Sequence, residues 1–406
     1  MERFVRYVLG ALVCVLTSLP LAAQRERVAG DSVEVALLTC SPGQEIYEYY
    51  GHTALLVRDL TLGNAYVFNY GVFNYSEPNF VWRFVRGKTD YMVACAPLQL
   101  FLREYEDRGS SVRADFLNLS QAEARELFYA LVENCRPENR TYRYNIFHDN
   151  CATRVRDMIA RAAGGQLTYH NEVKRQSLRN IVNRCSAPYR WSVFGQNLLL
   201  GAEADRVAPR EVQQFAPEIL QEDLLQATVV DSSGGSRPLV ARSEMLVPLR
   251  EVPLKEGFPL SPLACALILL AVTLCVNEWD RCRRRLAWGY DCLLLAAQGL
   301  AGCIVTLLFF GSEHPTLDSN WLVLLLNPLP LVFLWPTLRT ECRRRTAWYH
   351  RVAAVWLLLF LVSVVWLPQE ISVTTVVLAL CLLLRSLANV RLPRTWHPTE
   401  KTSIGK

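Results

Sequence analysis

The stretch Tyr144-Asn145-Ile146-Phe147-His148-Asp149-Asn150-Cys151-Ala152-Thr153-Arg154-Val155-Arg156-Asp157 changes character at its middle. An apolar, aromatic run ends in the polar step Asp149-Asn150. From Cys151 onward the spacing is helical as far as Ala163, where Gly164-Gly165 stops it. A thiol at a helix start sits at the positive end of the helix dipole, which favours thiolate and lowers its pKa. Well upstream, Gly51-His52-Thr53-Ala54-Leu55-Leu56-Val57 puts a histidine at the head of a strand. A cysteine at a helix N-terminus and a histidine on a strand are the two parts of a thiol nucleophile and its base.

Around these motifs the chain reads as a mixed α+β domain over residues 31–250. Strands are expected at 33–39, 53–58, 65–70, 88–97 and 112–117, and an extended run at 142–147. Helices are expected at Leu98–Arg108, at Gln121–Asn134 and at 171–185. The second of these opens with a capping box, Ser120 with Glu123. Residues 79–87 are aromatic and fit neither period.

The two ends of the chain fix its compartment. Met1-Glu2-Arg3-Phe4-Val5-Arg6, a short apolar run and Ala22-Ala23 have the layout of a signal peptide or signal anchor over residues 1–23. Residues 262–390 are mostly apolar and hold about five spans, near 263–276, 286–310, 321–338, 352–367 and 371–388. The first connection carries Arg281, Arg283, Arg284 and Arg285, and the third carries Arg339, Arg343, Arg344, Arg345 and Arg351. The tail, residues 391–406, carries Arg391, Arg394, Lys401 and Lys406, whereas 311–320 and 368–370 have no Lys or Arg. The positive-inside rule then puts the basic connections and the C-terminus in the cytoplasm and residue 31 onward outside it. The 406-residue chain is 51% apolar and has a net charge of +5. Much of that excess falls in the membrane half, so it does not point to nucleic acid.

Of thirteen cysteines, five fall in the exported domain: Cys40, Cys95, Cys135, Cys151 and Cys185. An odd number leaves at least one thiol free if pairing is internal. No Cys/His spacing suggests zinc, and neither a metal nor a cofactor is expected. Cys135 closes a helix, where the dipole disfavours thiolate. His148 is a poorer base than His52, and His170 reads as solvated. Arg154 and Asp157, one turn apart, read as an ion pair, with an anionic headgroup as the other use of Arg154; Arg156 reads as a solvated face. Cys40, in the turn Cys40-Ser41-Pro42-Gly43, stays open as a neighbour of His52.

Several motifs together resemble the Bacteroidota Lnb family. They are Gly51-His52-Thr53-Ala54-Leu55, Phe68-Asn69-Tyr70-Gly71, Asn79-Phe80, Phe84-Val85-Arg86-Gly87, Asp149-Asn150-Cys151-Ala152-Thr153-Arg154, Trp191-Ser192-Val193-Phe194-Gly195 and Leu198-Leu199-Leu200-Gly201. That family joins an N-terminal periplasmic domain to a transmembrane domain, and its periplasmic domain is similar to permuted papain-like (NlpC/P60-type) thiol enzymes. The resemblance implies lipoprotein N-acylation at the inner membrane. A fatty acyl chain passes from a phospholipid donor to the α-amino group of a diacylated lipoprotein acceptor. Cys151 would be the nucleophile and His52 its base, with the Cys151 N–H and Asn150 stabilising the oxyanion. Asn69 or Asp149 would orient His52. Glu313, His314 and Asp318, in the outward loop 311–320, are candidates for recognising an amine or headgroup. A cell-wall amidase or peptidase with the same dyad, and a catalytically silent scaffold, are the alternatives.

Overall fold

A computed structural model describes residues 32–74, 76–254, 257–338 and 347–391. The signal segment, Arg339 and Arg343–Arg345, and the basic tail beyond Arg391 lie outside the described residues. The chain forms two compact units. The first holds residues up to Ala187, then Arg206–Glu256 and Glu313–Pro315; the second holds Pro188–Asp205, Gly257–Ser312 and the rest from Thr316.

The first unit is built on ten strands: β1 (Val33–Cys40), β2 (His52–Asp59), β3 (Asn64–Val72), β4 (Asp90–Pro97), β5 (Val112–Leu117), β6 (Thr141–Arg143), β7 (Gln166–Tyr169), β8 (Ala227–Val230), β9 (Ser236–Pro238) and β10 (Val240–Val247). Seven of them form one antiparallel sheet in the order β10-β5-β1-β2-β3-β4-β6, and β7-β8-β9 form a second. The large sheet is apolar on both faces, which explains why its central strands read as near-continuous hydrophobic runs. One face, with Leu37, Leu55, Val57 and Phe68, packs on the helices Gln121–Asn134 and Cys151–Ala162. The other, with Leu38, Ala54 and Leu56, packs on Leu98–Arg108 through Leu98, Phe101 and Tyr105. The Cys151 helix buries Ala152, Val155, Met158, Ile159 and Ala162, a stripe at helical spacing. Cutting Ile159, which is 0% exposed, to alanine would cost roughly 2–5 kcal/mol.

Three expectations change in detail. The ambiguous segment 79–87 is a short helix, Phe80–Val85. The extended run stops at Arg143, because Asn145 and Asp149 exchange two backbone hydrogen bonds (3.0 and 2.9 Å) and turn the chain back toward Cys151. The helix expected over 171–185 covers only Leu178–Cys185. Its first residues are drawn off instead: Arg210 donates to the Asn171 carbonyl and Gln213 to the Lys174 carbonyl, at 2.5 and 2.9 Å.

The second unit contains the apolar helices Pro262–Arg283, Trp288–Gly311, Ala347–Ser363 and Val373–Arg391, and a broken segment, Trp321–Leu338. Four of these five are long and apolar enough to cross a membrane; Ala347–Ser363 is shorter. The broken segment is a 3₁₀ turn at Trp321–Leu324 followed by a helix at Leu329–Leu338, separated by Asn327-Pro328. Gly302 lies so close to this break that a Cβ there would be 2.2 Å from the Asn327 carbonyl oxygen. Residues 188–205, expected with the exported domain, fold with this unit. Asn320 donates to the carbonyls of Leu198 and Leu199, and Gln369 donates to that of Leu200. Three helices meet at Arg385, which reaches Asp291 on the second and Asp280 and Asn277 on the first.

Candidate active site

Two backbone devices bring Cys151 to His52. The first is the helix start. Asn150, 4% exposed, is the N-cap, and its Oδ1 accepts from the N–H groups of Ala152 and Thr153, both at 3.0 Å. Its Nδ2 donates to the carbonyls of Ile146 (3.0 Å) and Phe215 (2.8 Å). Every valence of that amide is spent on backbone, so Asn150 fixes where Cys151 points and has no donor left for an oxyanion. The N–H of Cys151 itself has no partner among the described residues.

The second device is an opening in the sheet. The β2–β3 ladder runs from Asp59–Asn64 to Leu55–Phe68 and is not continued to His52. On its other side β3 is irregular against β4 between Tyr70 and Val72, where Gly71 takes φ +92°. A bulge of this kind bends a strand away and re-aims side chains. A Cβ on Gly71 would sit 3.6 Å from Cys151 Cβ and 3.8 Å from His52 Cε1, so the two side chains flank the glycine. The N–H of Thr53 donates to the Cys151 sulfur in place of a rung to β3.

His52 Nε2 lies 2.5 Å from Asn69 Oδ1 and donates to it, which leaves Nδ1 for Cys151. Burial pushes the Cys151 pKa up. The His52 charge, the hydrogen bond from His52 and the N–H groups of Thr53 and Ala152 outweigh it, and the thiol falls below its ordinary 9.0. Burial pushes His52 down. The facing sulfur and the bond to Asn69 outweigh that, and the imidazole rises above its ordinary 6.5. Both shifts favour a thiolate–imidazolium pair, and the two groups titrate as a unit.

The remaining expected residues fall elsewhere. Asp149 does not reach His52: Arg154 grips it with two bonds, Nε to Oδ1 at 2.5 Å and Nη2 to Oδ2 at 2.7 Å. Arg154 thus pairs back across the helix start, not forward to Asp157, and its guanidinium lies 4.1 Å above the Tyr142 ring. Asp157 is taken by Arg156, which also donates to the Glu211 carbonyl and is mostly covered rather than solvated. His314 turns its Nε2 to the Phe84 carbonyl at 2.6 Å, and the neighbouring Glu313 pairs with Lys88 at 2.7 Å. Neither is presented beside Cys151.

His148 is exposed, and His170 meets Thr228. Cys40 stands across from His52 in the β1–β2 register. Burial holds its thiol far above the usual range, so it stays a protonated core residue. Burial also lifts Cys135, to about 12, and Cys185, to about 11. Cys40, Cys135 and Cys185 are free thiols like Cys151, and of these four Cys151 alone is shifted toward thiolate.

An aromatic path adjoins the pair. Tyr144 stacks on Tyr91 (4.1 Å between ring centroids), Tyr91 meets Phe73 (4.9 Å), and Phe73 stacks on Phe80 (5.7 Å). Phe80 opens the helix whose Val81, Trp82 and Phe84 are exposed. Sequence reasoning missed this path, the Thr53 N–H and the spacing role of Gly71. The glycine within Asn69-Tyr70-Gly71 was the visible sign, since a glycine in a strand marks a bulge or a close approach.

Comparison with known proteins finds two family models along the chain. Residues 21–184 match the family model of the Lnb N-terminal periplasmic domain, and residues 254–395 match that of the Lnb transmembrane domain. No curated protein and no solved structure matches the chain.

Proposed function

The chain belongs to the Lnb family, and on that premise we propose that it is a cysteine-dependent lipoprotein N-acyltransferase of the inner membrane. The observation that carries the reading is the Cys151–His52 pair, poised toward thiolate and imidazolium, with the far ring nitrogen of His52 held by Asn69. Histidine on a strand before a cysteine at a helix start supports a permuted papain-like arrangement. The neighbouring aromatic path and the apolar helices support an acyl donor drawn from the bilayer. The basic connections support a cytoplasmic C-terminus.

The reaction runs in two halves. The Cys151 thiolate attacks the ester carbonyl of a phospholipid; an S–C bond forms and the carbonyl electron pair moves to oxygen. The tetrahedral intermediate collapses, the ester C–O bond breaks, and His52 gives its proton to the departing alkoxide. The α-amino group of the diacylglyceryl-cysteine then attacks the thioester. Neutral His52 takes the amine proton as the C–S bond breaks, which restores the ion pair. No metal or cofactor enters either half.

Intact-mass measurement on the full-length protein, purified with phospholipid, tests the reading. Wild type gains the mass of one acyl chain, mapped to Cys151, and Cys151→Ala gains none. No adduct on wild type, or an equal adduct on Cys151→Ala, would overturn it. A Cys151→Ala strain that keeps fully triacylated lipoproteins but loses muropeptide cleavage would assign the dyad to cell-wall hydrolysis instead.

A further inference from the structure

An acyl transfer by Cys151 puts negative charge on the carbonyl oxygen, and the nearby donors are few. The Thr53 and Ala152 N–H groups face the sulfur, and the Asn150 amide is spent on backbone. The Cys151 N–H is free, but effective oxyanion sites in thiol and serine enzymes use at least two donors.

Tyr144 lies in the right place to be the other. The Asn145–Asp149 bridge is antiparallel, so one step outward sets Tyr144 across from Asn150, beside Cys151. Its backbone is pinned by its N–H to the Thr89 carbonyl (3.2 Å), and its ring is held by the stack on Tyr91 at 17° between planes. Tyr144 and Cys151 pack against the same apolar cluster. Its hydroxyl has no hydrogen-bond partner among the described residues, although the ring is largely covered. Burial and the facing sulfur also hold the phenol protonated, and therefore a donor.

We infer that the Tyr144 hydroxyl and the Cys151 N–H together form the oxyanion site for the tetrahedral intermediates of acyl transfer. Tyr144 donates a hydrogen bond and transfers no proton, so the balance of each half-reaction is unchanged. The inference rests on the reading that Cys151 attacks a carbonyl. It does not depend on which acyl donor is used.

The test compares two reactions of the same sulfur in full-length protein. Acylation by p-nitrophenyl hexanoate passes through an oxyanion, whereas alkylation by iodoacetamide displaces iodide from a saturated carbon and does not. Tyr144→Phe is expected to slow acylation by about 100-fold and to leave the alkylation rate and its pH profile within about twofold of wild type. Acylation within threefold of wild type would overturn the inference. Parallel loss of both reactions would also overturn it, because the tyrosine would then only be placing the thiolate. Tyr91→Leu, which removes the stack but keeps the hydroxyl, is expected to lose less acylation than Tyr144→Phe; the reverse order would count against the hydroxyl. If the ester acylates wild type while phospholipid does not, the acyltransferase reading fails and the oxyanion assignment is still tested.

Discussion

Arg385 in the membrane unit and Cys151 in the periplasmic one are both largely covered, and each is surrounded by polar partners. Around Arg385, 3% exposed, the guanidinium reaches Asp291, Asp280, Asn277 and the Ala287 carbonyl. Asn389 donates to the same Asp291 oxygen as Arg385 Nε, and the Ala287 N–H donates to Asp280. Around Cys151 the bonds do not close. The Cys151 N–H and the Tyr144 hydroxyl are unused, and the thiolate and imidazolium are held against each other by opposed shifts. A polar cluster with every valence filled fixes one arrangement of helices. A cluster with donors to spare is stable enough to form and still has bonds to make with a reacting group. Intramembrane charges are often functional sites, but here the completeness of the cluster assigns it to holding three helices.

The largest effect separates the two regions most sharply. Cys151→Ser keeps the shape of the site and removes the thiolate. Acyl-adduct formation is expected to fall at least about 10⁴-fold, while the thermal midpoint in detergent stays within a few degrees of wild type. A large fall in that midpoint would show the pair to be structural after all. Arg385→Leu should do the opposite. It strands two carboxylates in an apolar setting and costs roughly 3–5 kcal/mol, read as a lower unfolding midpoint. Changing Arg385, Asp280 and Asp291 together to apolar residues of similar size should recover most of the loss. If the triple variant stays as unstable as the single one, the charges do more than hold helices.

Asn69→Ala sharpens the comparison from inside the active site. The bond from His52 to Asn69 raises the imidazole pKa, so its removal lowers it. The ion pair persists above the Cys151 pKa and below that of His52. The alkaline limb of acyl-adduct formation, where His52 must be protonated to release the alkoxide, should therefore move to lower pH, and acyl transfer should fall about 10-fold to 100-fold as the ring loses its orientation. The linkage to stability has two signs. His52's contribution is full below its ordinary 6.5 and is lost as pH rises through its raised value. Cys151's contribution is full above its ordinary 9.0 and is lost as pH falls through its lowered value. Unfolding midpoints of wild type and His52→Ala measured across this range would check both limbs.

What the sequence disclosed and what it hid follow from how far each interaction reaches along the chain. The Cys151 helix and the His52 strand are set by neighbours within a few residues, and each was visible as a local pattern; Asn150 was assigned to the oxyanion and instead caps the helix. Asn69 was visible as one of two choices for orienting His52, because it lies on the next strand. The opening between β2 and β3 was hidden, since it depends on which rungs form between strands. Arg154 was assigned forward to Asp157 by helical spacing. The helix start instead presents Asp149 to it, a geometry that exists only once the Asn145–Asp149 turn has closed. The Arg385 cluster joins residues that lie about a hundred positions apart, and no period in the sequence reports it.

The smallest expected effect belongs to a cluster between these extremes. Arg154 and Asp149 are each 34% exposed; they are paired with each other but not sealed. A half-exposed bidentate pair contributes about 0.2–1 kcal/mol, so Arg154→Met should move the unfolding midpoint little. Its methylene-rich replacement keeps contact with the Tyr142 ring. If the guanidinium also meets an anionic headgroup, the apparent KM for an anionic phospholipid should rise severalfold with kcat unchanged, and a zwitterionic phospholipid should show no such rise. Equal behaviour toward both lipids would confine Arg154 to shaping the turn before Cys151. A fall in kcat with unchanged KM would mean that the turn, by holding Cys151 at its angle, belongs with the open cluster.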